Sequence, residues 1–298
     1  MGRTWRLLLT LLAIALASGG ADSVLAAGGS GAAEGEGKER AEMSGWQLVW
    51  SEEFDGPEID RSVWNFDIGN GHAAGIPGWG NAELQYYTDD PTNAYIQDGK
   101  LVIKAEKEQR TDRFGTYYYT SARLNTRGKV TVRYGRIEVR ARLPEGRGIW
   151  PAIWLLGADI GEKGWPACGE IDIMELVGHK PDTIHGTVHG PLSGGPGISA
   201  SYTLPGGRKF SEEFHVFGIE WSEGVIRFFV DETVYQELRR DRMPASYAER
   251  EWVYDHDYFF IVNLAVGGRW PGYPDETTTF PQVMEIDYIR VYQKQPEN

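Results

Sequence analysis

The chain has 298 residues and a formal net charge of −13, with 30 Lys and Arg against 43 Asp and Glu; so acidic a protein is a poor match for nucleic acid or an anionic polysaccharide, while neutral partners stay open. Cys168 is the single cysteine, which excludes an intrachain disulfide framework and leaves stability to the core, with or without a bound ion. The 11 Trp, 15 Tyr and 11 Phe are generous for that core, and aromatic rings serve both cross-strand packing and exposed platforms for apolar ligand faces.

In chain order, the first element is an address. Arg3 and Arg6 precede the apolar run Leu7 to Ala17, and small residues around Val24-Leu25-Ala26-Ala27 offer a cleavage site, the pattern of a secretory signal peptide over residues 1–27. The run is shorter than the ~20 residues a membrane span needs. Cleavage, with a secreted and extracellular product free of the membrane, is therefore expected over an N-terminal anchor. Residues 28–44 are Gly, Ala, Glu and Lys with almost nothing to bury, so a disordered linker is expected. Residues 45–295 then form one large domain without internal repeats, expected to act as a monomer.

From Trp46 onward the pattern has period two, broken by Gly, Pro, Asn and Asp clusters, which predicts an all-β fold. Predicted strands include Lys100 to Glu106 and Gly135 to Leu143, the latter with Ile137, Val139, Ala141 and Leu143 on one face and Arg136, Glu138, Arg140 and Arg142 on the other. Phe214 to Trp221, Val225 to Val230, Tyr258 to Leu264 and Glu285 to Tyr292 continue the series, with turns at Gln97-Asp-Gly-Lys, Ser222-Glu-Gly and Val230-Asp-Glu-Thr. One short helix is predicted, within Pro244 to Glu251. So many short strands without helical crossovers point to a sandwich of two antiparallel sheets.

The segment Gly169-Glu-Ile-Asp-Ile-Met-Glu-Leu-Val carries three acids on what its apolar residues mark as a buried strand, where charge is costly unless it has a task. Glu170 and Asp172 share a face, whereas Glu175 has the opposite parity. A β-bulge at Ile173-Met174 would return Glu175 to the face of Glu170. Two such carboxyls ~5 Å apart suit retaining glycoside hydrolysis, one attacking the anomeric carbon and the other protonating the leaving oxygen. Crowding would spread their pKa values, as that division of labour requires. The alternatives are a solvated sheet face or a calcium site built from the three acids.

On Glu170-Ile-Asp-Ile-Met-Glu175 and its flanks, from Trp46 to Gln293, the chain resembles glycoside hydrolase family 16, and within it the laminarinase-like endo-β-1,3-glucanases. The Met insertion distinguishes this bulged branch from the shorter, regular motif of lichenases. The resemblance implies a β-jelly-roll, concanavalin A-like sandwich with a concave substrate cleft. It also implies retaining hydrolysis of a laminarin-like β-glucan without a catalytic cofactor, with Glu170 as nucleophile, Asp172 as its assistant and Glu175 as acid/base.

In Gly148-Ile-Trp-Pro-Ala-Ile-Trp, Trp150 and Trp154 have equal parity and could both stack on glucosyl rings, with a core role for Trp154 as the alternative. The resemblance adds Trp165 as a subsite wall, His189 near the acid/base, Asn81, Glu83 and Arg123 as partners of sugar hydroxyls, and Trp270 at the rim of the cleft or packed as a plug. His185 and Thr187 share the parity of His189, and His185 is equally readable as a core histidine. Cys168 reads as a small buried residue, since acids and no thiol-activating base surround it. Finally, the resemblance places a structural Ca²⁺ at Glu53, the Gly99 carbonyl and Asp287, an oxygen-only set suited to that hard cation; a surface role is the alternative for Asp287. The rival reading from another class is a non-catalytic glucan-recognition protein, which typically lacks one or both glutamates. Within enzymes the rivals are a β-1,3-1,4-glucanase, an agarase or carrageenase, and a transglycosylase.

Overall fold

The computed structural model describes residues 45–295; the expected signal peptide and linker lie outside the described residues. Two antiparallel sheets carry the fold. The eight-stranded sheet runs, in spatial order, Thr233–Arg239, Val225–Val230, His215–Ser222, Gly135–Arg142, Gln282–Lys294, Lys100–Ala105 and Ala94–Gln97, with Trp46–Glu52 also paired to Gln282–Lys294. The seven-stranded sheet runs Ile198–Thr203, Thr183–His189, Glu170–Leu176, Ile149–Gly157, Tyr258–Val266, Arg123–Asn125 and Asn65–Phe66. This is the two-sheet antiparallel sandwich expected from the alternation, and the jelly-roll that the resemblance implied.

Facing residues of the two sheets make one core, in which Ile137, Val139 and Ala141 of the first join Ile153, Leu155, Ile171, Phe260 and Val262 of the second. On the other face of Gly135–Arg142 the charged residues find partners. Arg136 donates to Glu138 and Glu220 at 2.7 and 2.9 Å, Arg140 to Asp287 at 2.6 Å, and Arg142 to Glu285. The Tyr258–Val266 strand is buried at every residue, which explains a sequence that is apolar except at Asn263. One of its faces is core; the other is covered by the segment around residues 67–88, where Leu84 N–H donates to the Val266 carbonyl and Gln85 Oε1 accepts the Val266 N–H.

The predicted helix is present as Ala245–Glu251. A further single turn, Ile160–Lys163, was not legible in the sequence; four residues show no helical period, and the turn is set by its closure onto Gly164. Among the described residues, no helix is long and apolar enough to cross a membrane.

Candidate active site

The bulge expected in the acidic strand is present. Toward the neighbouring strand the register runs Ile153 with Met174 and then Trp154 with Asp172, skipping Ile173; toward the other it jumps from Asp172–Thr187 to Glu175–His185. Ile173 and Met174 both enter the core. Glu170, Asp172 and Glu175 thus emerge together on the opposite face, because burying two consecutive apolar side chains shifts the alternation by one. Gly169 introduces the strand at φ 72°, and a Cβ there would lie 2.0 Å from the Tyr258 hydroxyl, so only glycine brings the chain into Glu170 by this path.

Each carboxyl has different company. Glu170 Oε2 accepts from the indole N–H of Trp165 at 3.0 Å, and its Oε1 lies 3.6 Å from His189 Nε2. Asp172 Oδ2 is 3.1 Å from the same Nε2, so this ring nitrogen lies against both carboxyls. Glu175 Oε1 accepts from the indole N–H of Trp150 at 3.0 Å. Burial, followed by the Asp172 charge, pushes Glu170 up to about 8, against the pull of His189, Trp165 and Arg123. Burial and then Asp172 and Glu170 drive Glu175 well above the ordinary carboxylate range. Burial disfavours the His189 cation, but its hydrogen bond to Asp172 and the charges of Asp172 and Glu170 outweigh that and raise it to about 10. The cluster therefore retains protons at neutral pH, and its titration belongs to the group as a whole.

The aromatic residues frame these acids. Trp150 and Trp154 share the site face, as their parity required, while Ile153 and Leu155 point into the core. Trp154 is half-buried and donates to Asn263 Oδ1 at 2.8 Å, so it is a wall of the site rather than a core residue. Trp165 and Trp270 are exposed at 49% and 43%. Trp270 meets Trp150 edge-on at 5.5 Å and His185 at 5.0 Å, which places it at the rim and excludes a plug. His185 meets that ring edge-on, partly buried, outside the core.

His189 lies near enough to Glu175 for its charge to act there, while its direct contacts are with Glu170 and Asp172 and the strand register sets His185 opposite Glu175. One expectation needs correction. Glu83 was read as a partner of sugar hydroxyls, yet it is buried with one oxygen held by Asn81 at 3.1 Å and the other by Gln85 at 2.6 Å. Its role is to brace Asn81, whose side chain is exposed. Arg123 does face the site. It pairs with Asp67 at 2.9 Å and lies over the rings of Trp79 and Trp154 at 4.5 and 4.9 Å. Trp79, Tyr87 and Asn263 had been missed as site residues. Asn263 joins Trp154 to the Tyr87 hydroxyl at 3.2 Å, and a polar residue within the buried Tyr258–Val266 run was the available signal.

Cys168 is buried as expected, with burial and then the Glu170 charge raising its thiol to about 11. Far from the acids, strand register gathers Glu53, Gly99 and Asp287 at one corner of the eight-stranded sheet. There Arg290 holds both Glu53 oxygens at 2.9 and 3.0 Å and Arg140 holds Asp287. A dication there would have to share these carboxylates with two guanidinium groups. Among the described residues, the only carboxylate and imidazole groups close enough to hold a metal are Glu170, Asp172 and His189, where the imidazolium charge opposes a cation.

The profile of glycosyl hydrolases family 16 matches residues 81–290. A beta-glucanase from Rhodothermus marinus is 45% identical over 256 residues, 83% of this chain and 85% of its own. The laminarinase catalytic domain of Thermotoga maritima MSB8 matches with a TM-score of 0.81 and 58% identity, over 84% of this chain and 99% of that one. The endo-beta-1,3-glucanase of Pyrococcus furiosus matches with a TM-score of 0.81 and 52% identity, over 85% and 96%. Sequence profile, overall identity and the shared sandwich agree, and the chain belongs to glycoside hydrolase family 16.

Proposed function

We propose that this protein is an endo-β-1,3-glucanase that cuts internal bonds of a laminarin-like β-glucan with retention of configuration. The observation that carries it is the unequal environment of two glutamates on one face of the bulged strand. Glu170 has the indole N–H of Trp165 and the His189 cation to favour its ion, whereas Glu175 has one indole N–H and lies among negative neighbours that favour its proton. Ionised Glu170 attacks the anomeric carbon while Glu175 gives its proton to the departing glycosidic oxygen. Glu175, now a base, then takes a proton from water, which displaces Glu170 and regenerates both groups. Asp172 and His189 hold charge and proton around Glu170 without bonding to the sugar. Trp150, Trp154, Trp165 and Trp270 offer ring faces and edges to glucosyl units, and Arg123 and Asn81 offer donors to their hydroxyls.

Incubation with laminarin, lichenan, agarose and xyloglucan, scored by reducing ends, tests this reading. Release of short oligosaccharides from laminarin ahead of the other polymers is expected. Glucose as the sole early product would overturn the endo mode, and faster cutting of lichenan would move the assignment to mixed-linkage glucan.

Secretion, with removal of residues 1–27, follows from the Leu7 to Ala17 run and is part of the same proposal, as is a monomeric state. The structural calcium suggested by resemblance has topology in its favour and the arginine partners of Glu53 and Asp287 against it. EDTA decides it: a lowered melting temperature at unchanged low-temperature rate supports the ion, and an unchanged melting curve removes it.

A further inference from the structure

Glu251 takes no part in the chemistry above, yet its side chain is wholly buried at the end of the Ala245–Glu251 helix. Its carboxylate accepts from the backbone N–H groups of Leu192 and Ser193 and from the Ser193 hydroxyl. Ionised groups are kept in an interior only where such donors converge on them. The donors all lie on the turn that leaves the Thr183–His189 strand, closed further by Gly190 N–H to Ser193 Oγ at 2.9 Å and Gly194 N–H to the Gly190 carbonyl at 2.8 Å. A Cβ on Gly190 would lie 2.7 Å from oxygens of Glu251, so the helix end sits directly against the turn.

What this turn presents to the site is the Gly194 carbonyl, 2.6 Å from His189 Nδ1. A carbonyl only accepts, so Nδ1 carries hydrogen, and Nε2 is left facing Asp172 and Glu170. That nitrogen either carries a proton as well or accepts a hydrogen bond from a protonated neighbouring carboxyl. In both cases one proton stays between His189, Asp172 and Glu170.

We infer that Glu251 is a positioning residue for the acidic cluster: by clamping the turn after His189 it fixes the carbonyl that takes the Nδ1 hydrogen, and so holds Nε2 of the imidazole against Asp172 and Glu170. This rests on the roles proposed above for Glu170 and Glu175. The charged and titratable groups around His189 are Glu170, Asp172 and Glu175 from the bulged strand, with Arg123, three strands over, acting on Glu170 and Tyr254, whose phenol burial raises above its usual range, acting on Asp172. Freeing the imidazole weakens a cation that favours ionised Glu170, so the acid limb of activity moves to higher pH.

The test compares Glu251→Gln and Ser193→Ala with Glu249→Gln, an exposed change on the same helix that removes equal charge without touching the turn. Two readouts are taken, the pH profile of kcat/KM on laminarin and the imidazole ¹⁵N signals of His189. Glu251→Gln should raise the acid limb by about half a pH unit or more, lower kcat with little change in KM, and alter the His189 nitrogen signals; Ser193→Ala should do the same to a smaller extent. Glu249→Gln should change neither readout. In a His189→Gln background, Glu251→Gln should add no further shift. If Glu251→Gln fails to fold, Ser193→Ala decides alone. Unaltered His189 signals in the folded variants overturn the inference, whatever their melting temperatures. Absence of glucan hydrolysis by the wild type would instead sink the proposed function, while the nitrogen signals still report on the clamp.

Discussion

The outward faces of the two sheets both carry acids, and they treat them in opposite ways. On the eight-stranded sheet Glu138, Glu220, Asp287 and Glu285 each meet a guanidinium, and Arg136 and Arg142 also lie over the rings of Phe229 and Phe214. On the seven-stranded sheet Glu170, Asp172 and Glu175 share two indole N–H groups and one imidazole. The first arrangement neutralises charge where it stands. The second leaves excess negative charge in a partly dehydrated place, which raises carboxyl pKa values and stores reactivity at the expense of stability. A sheet face rich in acids is thus structural or functional according to its cations.

The largest effect expected from that contrast is on turnover. Glu170→Ala and Glu175→Ala should each lower kcat on laminarin by about 10⁴ or more. With an activated β-glucosyl donor, azide should give the α-glycosyl azide with Glu170→Ala, by direct attack, and the β-glycosyl azide with Glu175→Ala, by intercepting the covalent intermediate. Swapped products would exchange the two roles, and full activity in either variant would end the mechanism.

Next in size is the cost of breaking a neutralised acid. Arg136→Ala leaves Glu138, 8% exposed, without its guanidinium, and should destabilise the fold by roughly 2–4 kcal/mol with kcat intact. Thermal melting and laminarin turnover on the same sample measure both. A change below about 0.5 kcal/mol would show that this face is no more than solvated charge.

Removing an acid from the other sheet should have the opposite sign. Glu170 has its pKa raised from 4.5 to about 8, so the folded state binds the proton more tightly than the unfolded chain. Its favourable contribution is present below about pH 4.5 and is lost as pH rises through 8. Glu170→Gln should therefore raise the melting temperature by a few degrees, roughly 1 kcal/mol, with the gain larger at pH 8 than at pH 4. Equal or lower stability across that range would mean that His189 fully compensates the glutamate.

The smallest effects sharpen the roles of the indoles. Trp165→Phe removes a donor to ionised Glu170 and should move the acid limb of kcat/KM upward, while Trp150→Phe removes one from Glu175 and should move the alkaline limb upward. Shifts of about half a pH unit are expected. Movement of the wrong limb would contradict the division of labour between the two glutamates.

Local patterns sufficed wherever the physics is local. Alternation along Gly135–Arg142 identifies its core and solvent faces, because a strand's period is two whatever its neighbours are. The conflict of parity between Glu170 and Glu175 required a bulge, and Ile173-Met174, the consecutive apolar pair, was where one could sit. Tertiary structure decided which groups meet across strands. His189 lies beside Glu170 because register pairs those two residues; Glu83 is held by Gln85 and Asn81 because the covering segment folds over Tyr258–Val266; Arg290 and Arg140 take Glu53 and Asp287 through strand pairing. The link from Glu251 to His189 joins residues 62 positions apart through a turn with no sequence period. Spacing along a chain fixes which face a side chain takes, but the electrostatic field it meets comes from residues that only folding brings within a few ångströms.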